Sequence, residues 1–224
     1  MTPSNLEFLN NNLKFLGFGE RSLLNQHLEA QILRDPPSFE LYTEAFYNPD
    51  TKLEGKLYFV RSTQSDYYFF SKYEALLRYA GEQEKDRSQT FYINKGQGIT
   101  FKEAFNLLQG RAVFKLLTSR SGIQYSAWLQ LNFDEKDRRD NYVYIYYRGS
   151  RYDLNKALTE HPIRELKFDE MRETMYRSLQ RGNLHLVNFD GPERKGRHYI
   201  EANPSQKTIN IYPAAAKAAE MAES

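Results

Sequence analysis

Residues 88–133 read SQTFYINKGQGITFKEAFNLLQGRAVFKLLTSRSGIQYSAWLQLNF. The stretch holds a short strand, a glycine-bearing loop, a capped helix, a glycine stop and a β-hairpin, in that order. Thr100-Phe101-Lys102-Glu103 has the capping-box spacing, in which hydroxyl and carboxylate each satisfy a free backbone N–H. Phe101, Ala104, Phe105 and Leu108 then fall on one helical stripe, and Gly110 ends it. Runs 111–118 and 123–133 are rich in β-formers and flank Ser121-Gly122, a turn pair. Helix and antiparallel hairpin in direct succession set the class as α+β, mostly antiparallel sheets with helices.

Working outward, the same signals recur. Ser4-Asn5-Leu6-Glu7 opens a helix carrying Leu6, Leu9, Leu13 and Leu16, stopped by Gly17 and Gly19. A second helix is expected over about 20–33, with Leu24, Leu28 and Ile32 on one stripe, closed by Asp35-Pro36-Pro37. Ser71-Lys72-Tyr73-Glu74 reads as another capping box, predicting a short helix closing near Gly81. Asp153 and Asp169 are expected caps of two later helices, the last with Met171, Met175 and Leu179 inward and Gly182 as its stop. Strands are expected at about 38–47, 53–61, 67–71, 90–93, 111–118, 123–133, 141–148, 184–189, 196–202 and 207–212. Helix followed by three strands (αβββ) occurs at about 20–71, 100–148 and 169–212, and LLQGRAVFKLL (107–117) resembles SLQRGNLHLVNF (178–189). Repeated αβββ units and ordinary α+β alternation stand as equal readings. The expected organisation is N-terminal helices plus a β-meander over 1–82, a central αβββ unit over 83–150, a C-terminal one over 151–212 and an Ala-rich tail over 213–224.

Composition narrows the function classes. The 224 residues include 17 Tyr and 15 Phe, one Trp and no Cys. Aromatics at 15% argue against disorder. Without Cys there is neither a disulfide nor a thiolate metal site, which fits a cytoplasmic protein. No apolar run reaches the ~20 residues of a membrane span, and the first residues lack a signal-peptide pattern, so no membrane partner is expected. The net charge of +2 is uneven. Residues 1–110 carry 12 Lys+Arg against 14 Asp+Glu; residues 111–224 carry 19 against 15, and 12 of those 19 are Arg. Arg forks suit phosphate, so the later half is the place to look for a polyanion-facing surface.

Two passages of this chain, LTEHPIRELKFDEMRETMYRSLQRGNLHLVNF (158–189) and HYIEANPSQKTINIY (198–212), together with SDYYFFSKYEA (65–75) and the opening stretch, carry a family resemblance. From about Phe18 to Tyr212 the chain resembles an uncharacterised protein family of Bacteroidota carried on conjugative transposons and plasmids. Relatives in that family are often encoded near DNA-processing genes and are sometimes joined to topoisomerase-like proteins. The resemblance brings no activity and no catalytic residues. It implies a setting, mobile DNA in a bacterial cytoplasm, and a DNA-processing protein of the same element as a partner.

Candidate chemistry is sparse. Asn94-Lys95-Gly96-Gln97-Gly98 lies between strand and helix N-terminus, where Lys95 and the amides of Gly96 and Gly98 would hold a phosphate; the competing reading is a glycine turn. In YVYIYYR (142–148), alternation puts Tyr142, Tyr144 and Tyr146 on one face, and Val143, Ile145 and Tyr147 on a core face. Edged by Arg138, Arg139, Arg148 and Arg151, with Arg111 nearby in sequence, the tyrosines would stack bases of single-stranded nucleic acid while Arg holds phosphates. The competing reading is cross-strand tyrosine packing beneath solvated arginines. His185 and His198 are expected on one face of a hairpin with Val187 opposite His198, and no third ligand is placed for a metal. No nucleophile elbow, HExxH or acidic cluster is written in the chain, so no cofactor is expected. The expectation is a non-enzymatic nucleic-acid-binding accessory module, with a protein-interaction adaptor or a cryptic hydrolase or nuclease as alternatives.

Overall fold

The computed structural model describes residues 3–19, 22–94, 96–119 and 121–215. Among the described residues, five helices and three antiparallel sheets make an α+β protein. The chain divides into two compact units, Met1–Phe105 and Asn106–Ser224.

The first unit begins with helices α1 (Pro3–Phe15) and α2 (Ser22–Arg34). The side chain of the expected Ser4 cap lies outside the described residues. Leu9, Leu13 and Leu16 on α1 and beyond it, and Leu24, Leu28 and Ile32 on α2, are all buried. Four strands follow as a meander, β1 (Ser38–Asn48), β2 (Thr51–Arg61), β3 (Tyr68–Tyr79) and β4 (Arg87–Tyr92). Their alternation is clean: Leu53, Leu57 and Phe59 point inward, while Lys52, Glu54 and Lys56 point out. Phe18, Phe70 and Tyr73 meet edge-on and tilted in the core, where apolar area removed from water stabilises at ~25 cal/mol per Å2. Gly55 lets Phe101 pack on the sheet, since a Cβ there would lie 2.9 Å from the ring.

The short helix expected from Ser71 is a correction. Residues 68–79 form β3, with Tyr73, Ala75 and Leu77 buried and Lys72, Glu74 and Leu76 turned outward. The Ser71 hydroxyl donates to the Tyr58 carbonyl across the sheet at 3.1 Å instead of capping. Ser71 is the extra residue of a bulge, because Tyr58 pairs with Lys72 and Phe59 with Phe70. A boundary between 82 and 83 is corrected too, because β4 hydrogen-bonds to β3 and completes this sheet. Helix α2 therefore precedes four strands, and the first stretch departs from the αβββ pattern.

Helix α3 (Phe101–Leu108) closes the first unit and opens the second. The second unit contains β5 (Val113–Thr118), β6 (Gln124–Lys136) and β7 (Tyr142–Arg148) as one meander. Helices α4 (Leu154–Thr159) and α5 (Asp169–Gln180) come next, then the meander β8 (His185–Asp190), β9 (Lys195–Asn203) and β10 (Thr208–Pro213). Asp153 caps α4 by accepting from Lys156 N. Asp169 is the first residue of α5 and not its cap, and Met171 is exposed, while Met175 and Leu179 are buried. One core takes Trp128, Leu158, Met175, Leu179, Val187, Phe189 and Ile200 together. Most of the Ala-rich tail over 213–224 lies outside the described residues, and among the described residues no helix is long and apolar enough to cross a membrane.

Candidate nucleic-acid interface

Strand β7 positions the site. On one face it carries Tyr144, Tyr146 and Arg148, opposite Leu131, Leu129 and Ala127 of β6. The Tyr144 and Tyr146 rings lie 6.0 Å apart. The Arg148 guanidinium lies 4.4 Å from the Tyr125 ring centre and 5.4 Å from that of Tyr146. It also donates to the Tyr125 hydroxyl at 3.3 Å. Such stacking keeps the cation weakly hydrated and leaves its remaining N–H groups for an anion. Tyr146 is 40% exposed. Burial, and behind it the neighbouring Tyr125 phenol, raises the Tyr146 hydroxyl above its ordinary pKa, so the ring stays neutral.

Lys115 of β5 and Arg148 of β7 flank Ala127 in one cross-strand row. Arg151 is exposed in the 3-10 turn Gly149–Arg151 that follows. Neither residues 111–133 nor residues 141–152 contain an Asp or Glu. The outer face of the first unit's sheet is the opposite case. There Lys52 pairs with Glu54 at 2.7 Å, Lys56 with Glu40 at 2.9 Å and Arg78 with Glu54 at 3.3 Å. A polyanion meets a lattice of ion pairs on that sheet and a ring-stacked Arg148 on this one.

The other expected site residues do not join the cluster. Arg138 and Arg139 lie in the β6–β7 turn, before Tyr142, which is itself six residues and ~20 Å from Arg148 along an extended strand. The Asp137 carboxylate organises that turn by accepting from Arg139 N at 2.8 Å and Asn141 N at 3.0 Å, and those bonds with the backbone hold it below the ordinary carboxylate pKa. Residues 134–140 hold four acids and three bases, so the turn has no positive excess. Arg111 is structural: its Nε donates to Gly182 O at 2.9 Å, Nη2 to Asn106 Oδ1 at 2.6 Å and Nη1 to Gln109 Oε1. Of the tyrosine row, Tyr142 packs edge-on against Phe133. Ile145, expected in the core, is exposed, while Tyr147 packs against the core as anticipated.

The phosphate loop is overturned as well. Asn94 and Gln97 exchange both backbone hydrogen bonds and close a tight turn. Gly96, at φ +76°, lies against the Asn12 amide, and Gly98 against Ile93 and Tyr92 O, so the space over both glycines is filled. At the helix N-terminus the Glu103 carboxylate accepts from Thr100 N at 2.8 Å, and Phe101 N donates to Leu16 O. The chain's own carboxylate occupies the anion position. Lys95 lies outside the described residues.

The hairpin register places Val187 opposite His198, as expected. His198 and His161 both meet Phe189 edge-on, with ring centres 5.1 and 6.3 Å from it. Burial lowers the pKa of His161 and of His185. Among the described residues no group of three His, Asp or Glu is placed to hold a metal.

Tyr125 and Lys115 escaped the sequence reading for a physical reason. Counting back from the turn, where Lys136 pairs with Tyr142, sets Arg148 opposite Gln130. A bulge between Asn132 and Lys136 shifts the register by three residues and brings Arg148 opposite Ala127. No family model, curated protein or solved structure matches this chain.

Proposed function

We propose that this protein binds nucleic acid, without catalysis, through Tyr125, Tyr144, Tyr146 and Arg148, with Lys115 and Arg151 beside them. The observation that carries the reading is an arginine stacked on two partly exposed tyrosines, in a sheet whose residues 111–133 and 141–152 contain no carboxylate. Tyrosine faces accept unpaired bases, each stack giving ~1–3 kcal/mol, and guanidinium groups contact the phosphates between them. Single-stranded DNA or RNA fits best, since bases in a duplex keep their faces to one another. The family resemblance supplies the setting, an accessory role beside DNA-processing proteins of a mobile element in the bacterial cytoplasm.

Fluorescence anisotropy with a labelled oligonucleotide tests this. Wild-type affinity should fall with salt, and Tyr146→Ala with Arg148→Ala should weaken binding by tenfold or more, ~1.4 kcal/mol. Absent binding, or binding indifferent to ionic strength, overturns the reading. An adaptor role has its own support in Tyr42 and Phe46, 68% and 65% exposed on the charge-neutral sheet of the first unit. In that case the oligonucleotide stays unbound, and Tyr42→Ala with Phe46→Ala removes a protein contact.

A further inference from the structure

We infer that the segment 161–167 is a pH-sensitive strap over the outer edge of β8, which uptake of a proton by His161 releases. An edge strand left bare invites pairing with another chain, and here a short segment covers it with few bonds. Asp190 N donates to Pro162 O at 2.9 Å, and Ile163 forms a single bridge to Phe189. The Glu165 carboxylate accepts from Asn188 N at 3.0 Å and from Asn188 Nδ2 at 2.8 Å, and Lys167 pairs with Asp190 at 3.5 Å. Gly191 completes the fit, since a Cβ there would collide with the Pro162 ring. A carboxylate thus stands where a neighbouring strand would otherwise lie, and a cover held this way opens locally before the sheet does.

His161 starts the strap. Its ring meets the Phe189 ring edge-on, and its Nε2 is sealed from solvent with no hydrogen-bond partner among the described residues. Arg194, from the turn between β8 and β9, lies 5.4 Å from the same Phe189 ring, and His198 of β9 meets that ring 5.1 Å away. Glu160 precedes His161 at the end of α4, and Asp190 and Lys167 form the ion pair at the far end of the strap. In the neutral ring Nε2 can stay a bare lone pair. In the imidazolium it is a buried donor without an acceptor, and a second positive charge beside Arg194. Burial, and behind it Arg194, lowers the His161 pKa, while Glu160 works the other way. The closed strap therefore holds above the ordinary histidine pKa of ~6.5 and weakens as pH falls through it.

Hydrogen exchange of the Asn188 and Asp190 amides, read as NMR protection factors from about pH 7.5 down to about pH 5.5, tests the strap. Protection of both should fall by up to about tenfold per pH unit below ~6.5, while Ile200 in the central strand β9 keeps its own. His161→Gln should abolish the fall. His185→Gln, at the other half-buried histidine with a lowered pKa, should leave it in place. The wild-type series needs no substitution and by itself separates strap release from general unfolding. Protection that ignores pH, that falls in His161→Gln as in the wild type, that depends on His185, or that is lost together with that of Ile200 would each overturn the inference.

Discussion

Arg111 and Gly182 form a bolt between two helix-to-strand corners of the second unit. Gly110 and Gly182 both hold left-handed backbone, at φ +85° and +78°. A Cβ on Gly182 would lie 2.8 Å from Ala112 O, so Gly182→Ala combines backbone strain with a collision and should cost ~2 kcal/mol or more in chemical denaturation. Arg111→Ala leaves Gly182 O and the fully buried Asn106 amide short of a donor and should destabilise by ~1–3 kcal/mol. With the chain still folded, Arg111→Ala should leave oligonucleotide affinity unchanged, which separates its bolting role from a phosphate contact. His161 and His185, whose neutral forms burial favours, set the acid limb of stability. The unfolded chain takes up their protons near pH ~6.5 and the folded chain resists, so stability holds above that pH. Thermal melts should therefore show stability declining as pH falls below ~6.5, and substituting both histidines with Gln should flatten that limb.

Elements were legible in the sequence where local chemistry and tertiary packing agree. Among the described residues ten strands start within about three residues of where β-formers and turn residues place them, because alternating burial needs the period the sequence displays, but β3 runs on to Tyr79 through the residues expected as a helix. The Ser71 capping box misled because its four-residue spacing also fits a strand, and the aromatic burial of Tyr68, Phe70 and Tyr73 decides between them. The bulges were illegible, since an extra residue alters pairing and not composition. That is why Tyr125 could not be placed beside Arg148 by counting, and why Arg138 and Arg139 seemed closer to the tyrosines than they are. The bulge allows two tests at Ser71. Ser71→Ala removes one cross-strand hydrogen bond and should cost ~1 kcal/mol. Deleting Ser71 removes only the extra residue, so Lys72 stays opposite Tyr58 and Phe70 opposite Phe59 with Tyr68 and Phe70 still inward, and circular dichroism should show the folded sheet retained.

Among the described residues the outer face of the first sheet and the Arg148 end of β7 carry their charges differently. Most cations on the outer face of the first sheet sit beside carboxylates, and exposed pairs of this kind add at most ~1 kcal/mol each. On β7 the Arg148 guanidinium lies against the Tyr125 and Tyr146 rings instead. The net excess of basic residues after 110 was visible in the sequence, but its division among a structural bolt, an acid-balanced turn and a stacked cluster was not. The central claim is that phosphate contact happens at the Arg148 end of β7. The salt dependence of oligonucleotide affinity measures it directly, since each phosphate contact contributes ~0.7 to the slope for a single strand. The slope should become shallower by about that amount in Arg148→Ala and stay unchanged in a variant with both Arg138→Ala and Arg139→Ala. A slope that ignores Arg148 and responds to the Arg138–Arg139 turn would contradict the account.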